Sequence, residues 1–269
     1  MKVNKIYNES CLVTMSNMPD NFLDLTVTSP PYDNLRTYNN DIDKSWGEHI
    51  WKPIIKELYR VTKDGGIVVW VVNDATINGS ETLTSFKQAI YANECGFRQY
   101  DTMIYRKSCP PMNVRRYEPE FEYMFVWSKG KPKTFNGIEV AKKNNYKRKD
   151  KVFHRRRNGG FVTGKSSKKK TKLMGNIWKI FTGGGTNDKL ASLHPAIFPE
   201  KLANDHIISW SNENDIVYDP FCGSGTVPKM AILNNRNYIG SELSKEYCDN
   251  IIAKRIELAN KIKAQQKLF

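Results

Sequence analysis

Residues 219–226, which read Asp-Pro-Phe-Cys-Gly-Ser-Gly-Thr, set the strongest limit on the fold of this chain. The apolar, β-branched run at 216–218 is typical of a buried strand, and the apolar positions after the segment recur at the spacing of one helix face. The segment therefore predicts a strand, a tight turn and a helix. Gly223 and Gly225 allow the backbone to turn sharply and to lie close to a ligand.

An acidic residue follows the next predicted strand, at 237–240. This residue, Glu242, stands 17 positions beyond Gly225, and an acid about 20 positions after a glycine turn is typical of a group that binds ribose hydroxyls. Pro228 occupies the place of the third glycine of a dinucleotide-binding turn, and the Gly-Lys-Ser/Thr of a P-loop is absent. On this segment alone, a plain βα turn without a ligand stays open.

A second motif, Thr-Ser-Pro-Pro-Tyr at 28–32, follows a predicted strand at 23–27. Its two prolines lack N–H donors and fix φ, so neither a helix nor a strand ladder continues through them. Ser29 and the carbonyl of Pro30 provide hydrogen-bond acceptors, and Tyr32 provides an aromatic ring on which a planar group can stack. A proline-ended strand with no chemical role is the alternative.

Together the two motifs resemble those of the amino-methyltransferases of DNA, which carry an Asp/Asn/Ser-Pro-Pro-Tyr/Phe/Trp loop and a Phe-x-Gly-x-Gly turn. Because the proline loop comes first, the order is similar to that of the circularly permuted β class, over nearly the whole chain. The resemblance implies a doubly wound, mainly parallel α/β sheet of Rossmann-like type. It also implies S-adenosylmethionine as the methyl donor and site-specific methylation of a base amino group in double-stranded DNA.

The target base stays open between two amines. Ser29 at the first position of the loop resembles the cytosine-N4 subgroup, and adenine N6 is the alternative. A non-catalytic DNA-binding protein that retains the fold is the alternative from another class. A nicotinamide oxidoreductase is disfavoured by the missing third glycine and by the basic insert described below.

The resemblance assigns catalysis to the loop residues Ser29, Pro30, Pro31 and Tyr32. It assigns cofactor contacts to Glu9, Ser10, Thr28, His194, Pro195, Phe198, Asp219, Phe221, Cys222, Gly223, Ser224, Gly225, Thr226 and Glu242. Glu9 or Ser10 would stand near the adenine of the cofactor, and the His-Pro stretch at 194–195 would lie over its methionine part. No metal site is expected, because the cysteines and histidines lack metal-ligand spacing.

The net charge of +14 is concentrated in one segment, 142–172, which carries 14 lysines and arginines and one acid. Aromatic and apolar residues interleave with these charges, so we predict contact with nucleic acid, with a solvated loop as the alternative. The residues expected at DNA, inside and outside this segment, are Arg36, Arg115, Arg116, Arg155, Arg156, Arg157, Lys168, Lys169 and Lys170.

Three regions are expected in the 269 residues: a catalytic half at 1–135, a basic target-recognition insert at 136–190, and a cofactor-binding half of the same domain at 191–269. No apolar run of ~18 residues is present, and five cysteines without a Cys-x-x-Cys fit a reduced compartment. We therefore expect a cytoplasmic protein with no membrane partner. A monomer or homodimer, and a cognate restriction endonuclease as a further partner, stay open.

The periodicities predict helices at 51–61, 83–95, 200–210 and 244–263, and further strands at 5–12 and 67–72. Two more strands, at 100–107 and 121–128, are expected as an antiparallel pair at the edge of the sheet. Asp74, at the carboxyl end of the 67–72 strand, is interpreted as a turn cap, with a cofactor or base role as the alternative.

Overall fold

The computed structural model describes residues 1–31, 46–107, 116–142, 151–165, 169–181 and 188–266. The chain divides into two compact units, a large one formed by Met1–Asn136 and Asn176–Phe269 and a small one formed by Gly137–Gly175. In the described ranges, none of the helices combines the length and the apolar character that a membrane crossing requires.

The regular elements of the described residues follow in chain order. The helices are α1 (Cys11–Ser16), α2 (Glu48–Val61), α3 (Thr84–Glu94), α4 (Glu200–Trp210), α5 (Thr226–Leu233), α6 (Lys245–Tyr247) and α7 (Ala253–Gln266). The strands are β1 (Lys5–Tyr7), β2 (Leu23–Thr28), β3 (Thr62–Val72), β4 (Thr76–Ile77), β5 (Ser80–Glu81), β6 (Arg98–Lys107), β7 (Phe121–Ser128), β8 (Glu139–Ala141), β9 (Lys151–Arg155), β10 (Phe161–Lys165), β11 (Thr171–Leu173), β12 (Ile177–Ile180), β13 (Ile216–Asp219) and β14 (Asn237–Ser241).

The large unit is built on an eight-stranded sheet in the order β1-β14-β13-β2-β3-β7-β6-β12. Strand β7 pairs antiparallel with both β3 and β6, and all the other neighbours in the sheet pair parallel. A mainly parallel sheet of this kind places its ligand site outside the carboxyl ends of the strands. The α/β fold predicted from the sequence is therefore confirmed.

The central strand β3 shows that both faces of the sheet are covered. Its residues 67–72 are all buried, although successive side chains of a strand point to opposite faces. Val68 and Trp70 belong to a core cluster with residues of α1, α2 and α3, whereas α4 and α5 contact β2, β13 and β14. Apolar residues on both faces of one strand are thus the reason for the layered architecture.

The strand expected at 5–12 is wrong in its extent, because it ends at Tyr7 and Cys11 begins α1. Strand β3 begins at Thr62, directly after α2, and is thus five residues longer than the strand expected at 67–72. The closing helix is interrupted by a π-helical turn at Cys248–Ile252.

The expected edge pair is also wrong in position. Strands β6 and β7 do pair antiparallel, but β12 adds to β6 in parallel, with Ile177 opposite Ile104, and forms the edge of the sheet. Because β12 belongs to the large unit, the small unit ends at Gly175 and is shorter than the insert expected at 136–190.

The small unit consists of two antiparallel strand pairs. Strand β9 pairs with β10, with Arg155 opposite Phe161, and β8 pairs with β11, with Ala141 opposite Thr171. Residues 153–163 of the first pair are exposed throughout, including Phe153 at 70% and Phe161 at 69%. A two-stranded pair with both faces exposed buries little apolar surface of its own.

Candidate active site

The proline motif and the glycine motif follow two strands that end on the same side of the sheet, at the carboxyl ends of its parallel strands. Strand β13 pairs in parallel with β2, with Val217 opposite Leu25. The last residues of the two strands are joined directly, because the Thr28 hydroxyl donates a 2.7 Å hydrogen bond to Asp219 Oδ1 and both residues are buried. Residues 191 positions apart in sequence are thus adjacent in the core.

The proline corner is partly enclosed. Ser29 and Pro31 are half-buried and Pro30 is buried, directly after the end of β2. Tyr32 and Arg36 lie outside the described residues, as do Arg115 and Lys168. The structure therefore places the first three residues of the predicted catalytic loop directly after Thr28, which bonds to Asp219 at the start of the glycine motif.

The glycine turn is packed so closely that side chains at both glycines would collide with neighbours. Gly223 and Gly225 have φ values of +51° and +76°, in the left-handed region that favours glycine. A Cβ at Gly223 would lie 3.1 Å from the His194 ring, and one at Gly225 would lie 2.9 Å from Ile252 Cγ2. Backbone conformation and packing together explain why this segment needs both glycines.

Glu242 is fixed on the glycine turn by backbone donors. Its Oε2 accepts a 2.7 Å hydrogen bond from the Gly223 N–H, and its Oε1 accepts a 2.9 Å bond from the Ser244 N–H. Burial raises the pKa of Glu242, and these N–H donors act in the opposite direction. Each carboxylate oxygen has a further lone pair, so the side chain can accept additional hydrogen bonds.

Strand β1 brings the predicted adenine-side residues to the same edge. The Glu242 N–H donates to the Tyr7 carbonyl at 3.0 Å, and Asn8 Nδ2 donates to the Glu242 carbonyl at 2.9 Å. Glu9 follows directly, half-buried, and its Oε1 accepts a 3.0 Å bond from the Thr14 hydroxyl. Ser10 precedes the first residue of α1.

The segment before α4 also reaches the turn. His194 is buried, and its Nδ1 lies 2.8 Å from the Ala196 carbonyl and accepts the Ala196 N–H at 3.1 Å. Its ring meets the Tyr247 ring edge-on at 4.8 Å between centroids. Beyond it, Pro195 is exposed and Phe198 is half-buried.

Aromatic rings cover the apolar side of the turn. The half-buried Phe221 packs edge-on against Trp46 and Trp70, with centroids 5.6 Å and 6.1 Å apart. On its other side, the Phe221 N–H donates to Asp219 Oδ1 at 3.1 Å. Burial raises the pKa of Asp219 to about 7, while the bonds from Thr28 and Phe221 act in the opposite direction.

The alternative role for Asp74 at this edge finds no support. Asp74 accepts the Ser85 N–H at 2.8 Å and the Ser85 hydroxyl at 2.6 Å, so its carboxylate is bound to the first turn of α3, whereas the sequence predicted a turn cap. Among the described residues, no group of three or more histidine, cysteine or acidic side chains is arranged to hold a metal ion.

A group of largely buried charges next to the turn was not predicted from the sequence. Arg255 on α7 has no exposed surface and donates to the Ser224 carbonyl at 2.6 Å. It also contacts Asp188 and Glu200, which are both bound by Lys229 as well. A signal exists in the sequence, because Arg255 is spaced four residues from Ile251 and from Ala259, on the apolar face of its helix.

The predicted DNA-contacting residues that the structure describes are exposed. Arg155 ends β9, and Arg156 and Arg157 follow in the connection to β10. Lys169 and Lys170 precede β11. Arg116, in the large unit, donates to the Gly79 carbonyl and lies 4.0 Å from Glu81, so part of its hydrogen-bonding capacity is used within the protein.

Known proteins are similar to this chain over most of its length. A family model described as DNA methylase matches residues 23–255. The chain is 54% identical over 242 residues to the orphan methyltransferase M.BamHII of Bacillus amyloliquefaciens, covering 87% of this chain and 88% of that protein. It is 28% identical over 272 residues to the type II methyltransferase M.BglII of Bacillus subtilis, covering 92% of this chain and 67% of that protein.

Solved structures share the fold. The PvuII DNA methyltransferase, which is cytosine-N4-specific, matches with a TM-score of 0.66 at 19% identity, over 98% of this chain and 94% of that one. The M1.HpyAVI–SAM complex matches with a TM-score of 0.58 at 22% identity, over 94% of this chain and 98% of that one. The chain therefore belongs to the DNA methylase family, the N6- and N4-amino methyltransferases of DNA.

Proposed function

We propose that this chain transfers a methyl group from S-adenosylmethionine to the exocyclic N4 amine of a cytosine flipped out of double-stranded DNA. The observation that carries the proposal is the 2.7 Å hydrogen bond between Thr28 and Asp219. It joins the end of the strand that leads to the proline loop with the end of the strand that leads to the glycine turn. The two halves, 1–135 and 191–269, thus contribute to one rim.

The residues around the glycine turn fit the methyl donor by their chemistry. Glu242 is held in place by Gly223 and Ser244 and retains acceptor capacity for ribose hydroxyls. Phe221 and its tryptophan neighbours offer an apolar surface, and the His194 ring lies against Gly223 of the turn. When bound, S-adenosylmethionine supplies an electrophilic methyl group on a sulfonium.

The proline corner orients the nucleophile. An exocyclic amine is a poor nucleophile because its lone pair is delocalised into the ring. The Ser29 hydroxyl and the Pro30 carbonyl each accept one N–H of the amine, which directs the nitrogen lone pair toward the methyl group. Tyr32 stacks on the flipped base. The buried Pro30 holds this corner rigid, so little reorganisation accompanies transfer.

Ser29 favours cytosine as the base, and the cytosine-N4-specific PvuII enzyme has the same fold. Adenine N6 is the second candidate, because its amine also lies beside a ring nitrogen acceptor. Mass analysis of nucleosides from DNA treated with the protein and S-adenosylmethionine distinguishes the two. N4-methylcytosine is the expected product. Detection of N6-methyladenine instead would change the proposed target base to adenine. The absence of any methylated nucleoside on every duplex tested would overturn the proposal.

Exposed cations and aromatic rings of the small unit support DNA contact there. Arg155 and Phe161 pair across β9 and β10, as do Phe153 and Thr163, so these residues share one face of the two-stranded ribbon. A two-stranded ribbon fits the major groove of B-DNA, where arginine can bind guanine and apolar rings can contact the thymine methyl. We propose this face as the part of the chain that reads the target sequence.

A further inference from the structure

Four charged side chains form a neutral, largely buried cluster behind the glycine turn, which we call the clamp: Asp188, Glu200, Lys229 and Arg255. Lys229 Nζ lies 2.8 Å from Asp188 Oδ2 and 2.6 Å from Glu200 Oε1. Arg255 contacts the same two oxygens, at 3.0 Å through Nε and at 2.7 Å through a terminal nitrogen. Each of the two cations therefore contacts each of the two carboxylates.

Arg255 connects the clamp to the glycine turn. One of its terminal nitrogens donates to the Ser224 carbonyl at 2.6 Å, to the Ser224 hydroxyl at 3.1 Å and to the Thr226 hydroxyl at 3.0 Å. The guanidinium is completely buried, so these protein acceptors replace water as its partners. Helix α7 thereby holds the backbone of the turn, in addition to the strand β13 and the helix α5 that flank the turn.

The two carboxylates connect the clamp to the segment that carries His194. Asp188 and Glu200 stand at the two ends of the segment 188–200, and the His194 ring within this segment lies against Gly223. Burial alone would raise the pKa of Asp188, but Lys229 and Arg255 hold it well below its usual range, so the side chain stays ionised. Arg255 thus bonds both to the turn and to the two ends of the segment that carries His194, and Lys229 bonds to the same two ends.

Stability alone does not account for such a cluster. The desolvation of buried charges offsets most of their mutual attraction, and apolar replacements of similar size are often neutral or stabilising. A charged network does impose one geometry, because each partner must be met at hydrogen-bonding distance.

We propose that Arg255 and Lys229 are positioning residues of the methyl-donor site, which hold the glycine turn and the segment 188–200 in the arrangement that the donor requires. This role rests on the proposed function, since it assigns the donor to the glycine turn. Neither side chain needs to touch the donor, because both act through backbone and side-chain groups that line it.

Isothermal titration with S-adenosylmethionine tests the proposal on the intact protein and on Arg255→Met and Arg255→Lys. The loss of charge-assisted hydrogen bonds to the turn should raise the Kd of Arg255→Met at least about tenfold. Arg255→Lys, which keeps the charge, should recover part of the affinity. The kcat at saturating donor and the Kd for DNA should stay close to wild type.

Arg236→Met is the matched control. Arg236 is half-buried and bonds to Ser211 and to the Asn234 carbonyl, before β14 and therefore at the other end of the sheet. Its loss should lower the thermal midpoint without changing the Kd for the donor. Wild-type donor affinity in a folded Arg255→Met, or equal losses of donor and DNA affinity in both variants, would overturn the positioning role.

Glu200→Gln serves if Arg255→Met does not fold, because Glu200 is 30% exposed and glutamine keeps an acceptor. Hydrogen exchange of the amides in 188–200 should then accelerate relative to wild type, with weaker donor binding. Unchanged exchange and unchanged Kd would contradict the proposal. Failure of the wild-type protein itself to bind S-adenosylmethionine would instead contradict the proposed function.

Discussion

Glu242 carries the prediction that is most specific at the scale of single residues. Its two carboxylate oxygens are held by the N–H groups of Gly223 and Ser244. A ribose hydroxyl of S-adenosylmethionine therefore meets a hydrogen-bond acceptor that is already oriented. Glu242→Gln loses the charge-assisted bond and should weaken S-adenosylmethionine binding by about tenfold in calorimetry. Glu257→Gln, on the exposed face of α7, is the control and should bind as wild type. Equal affinity in both variants would place the ribose elsewhere.

Asp219 should make folding stability depend on pH. Its pKa in the folded state is raised to about 7 by burial, above the unfolded value of about 3.9. The associated stability is complete below the unfolded pKa and is lost as pH rises toward 7. Asp219→Asn keeps the Oδ1 acceptor for Thr28 but does not ionise. Relative to wild type it should gain about 3 kcal/mol of unfolding free energy between pH near 5 and pH near 8.

Urea denaturation of both proteins at several pH values measures this difference. All other carboxyl groups are common to the two proteins, so the difference reports the ionisation of Asp219 together with its charge interaction with Glu242. Parallel pH profiles for the two would show that Asp219 does not titrate in this range.

At the scale of elements, the β9–β10 ribbon carries the DNA prediction. Replacing Arg155, Arg156 and Arg157 by glutamine removes up to three phosphate contacts. The slope of log K against log salt should become shallower by up to about 2.7, and DNA binding should weaken. Replacing Lys245, Lys254 and Lys261, which are exposed on α6 and α7, removes the same charge from another surface and should leave the slope unchanged. An unaltered slope in the arginine variant would exclude the ribbon from DNA.

The aromatic face of the same ribbon should affect specificity more than total affinity. Phe153→Ala and Phe161→Ala remove exposed apolar surface without changing charge. If the rings contact bases, binding to the target duplex should weaken while binding to unrelated duplexes is retained. Competition experiments with both duplexes measure the ratio, and an unchanged ratio would contradict sequence reading by this face.

Elements fixed by short stretches of sequence were predictable, and those fixed by distant partners were not. The strand, turn and helix around Gly223 follow from apolar runs and glycines within about ten residues. Strand β12, by contrast, has only four residues, and its place beside β6 depends on pairing with a strand more than 70 positions earlier. The strand predicted at 5–12 was too long, because the apolar run across 11–13 belongs to a short helix.

The same limit applies to the site. Motif residues such as Ser29 and Glu242 could be assigned by resemblance, because each follows a recognisable strand. Arg255 could not, since its contacts with Asp188 and Ser224 lie 67 and 31 positions away and appear only when α7 packs on the turn. Its place on an apolar helix face was the one available sign.

At the scale of the whole molecule, the permuted order of the two motifs does not prevent them from contributing to one site. A proline loop near the start and a glycine turn near the end meet because β2 and β13 are parallel neighbours. Strand pairing, rather than order along the chain, therefore determines which groups share the rim. It follows that changes in the proline loop should affect methyl transfer, and changes around the glycine turn should affect binding of the methyl donor.

Single-turnover transfer of a labelled methyl group to a target duplex, measured over a range of donor concentrations, tests this division of roles most directly. Ser29→Ala should slow transfer at saturating donor on the order of a hundredfold, with donor affinity unchanged. Glu242→Gln should weaken donor binding and leave the saturated rate close to wild type. Wild-type transfer by Ser29→Ala, or a loss of donor affinity in that variant as large as in Glu242→Gln, would contradict a single site built from the two motifs.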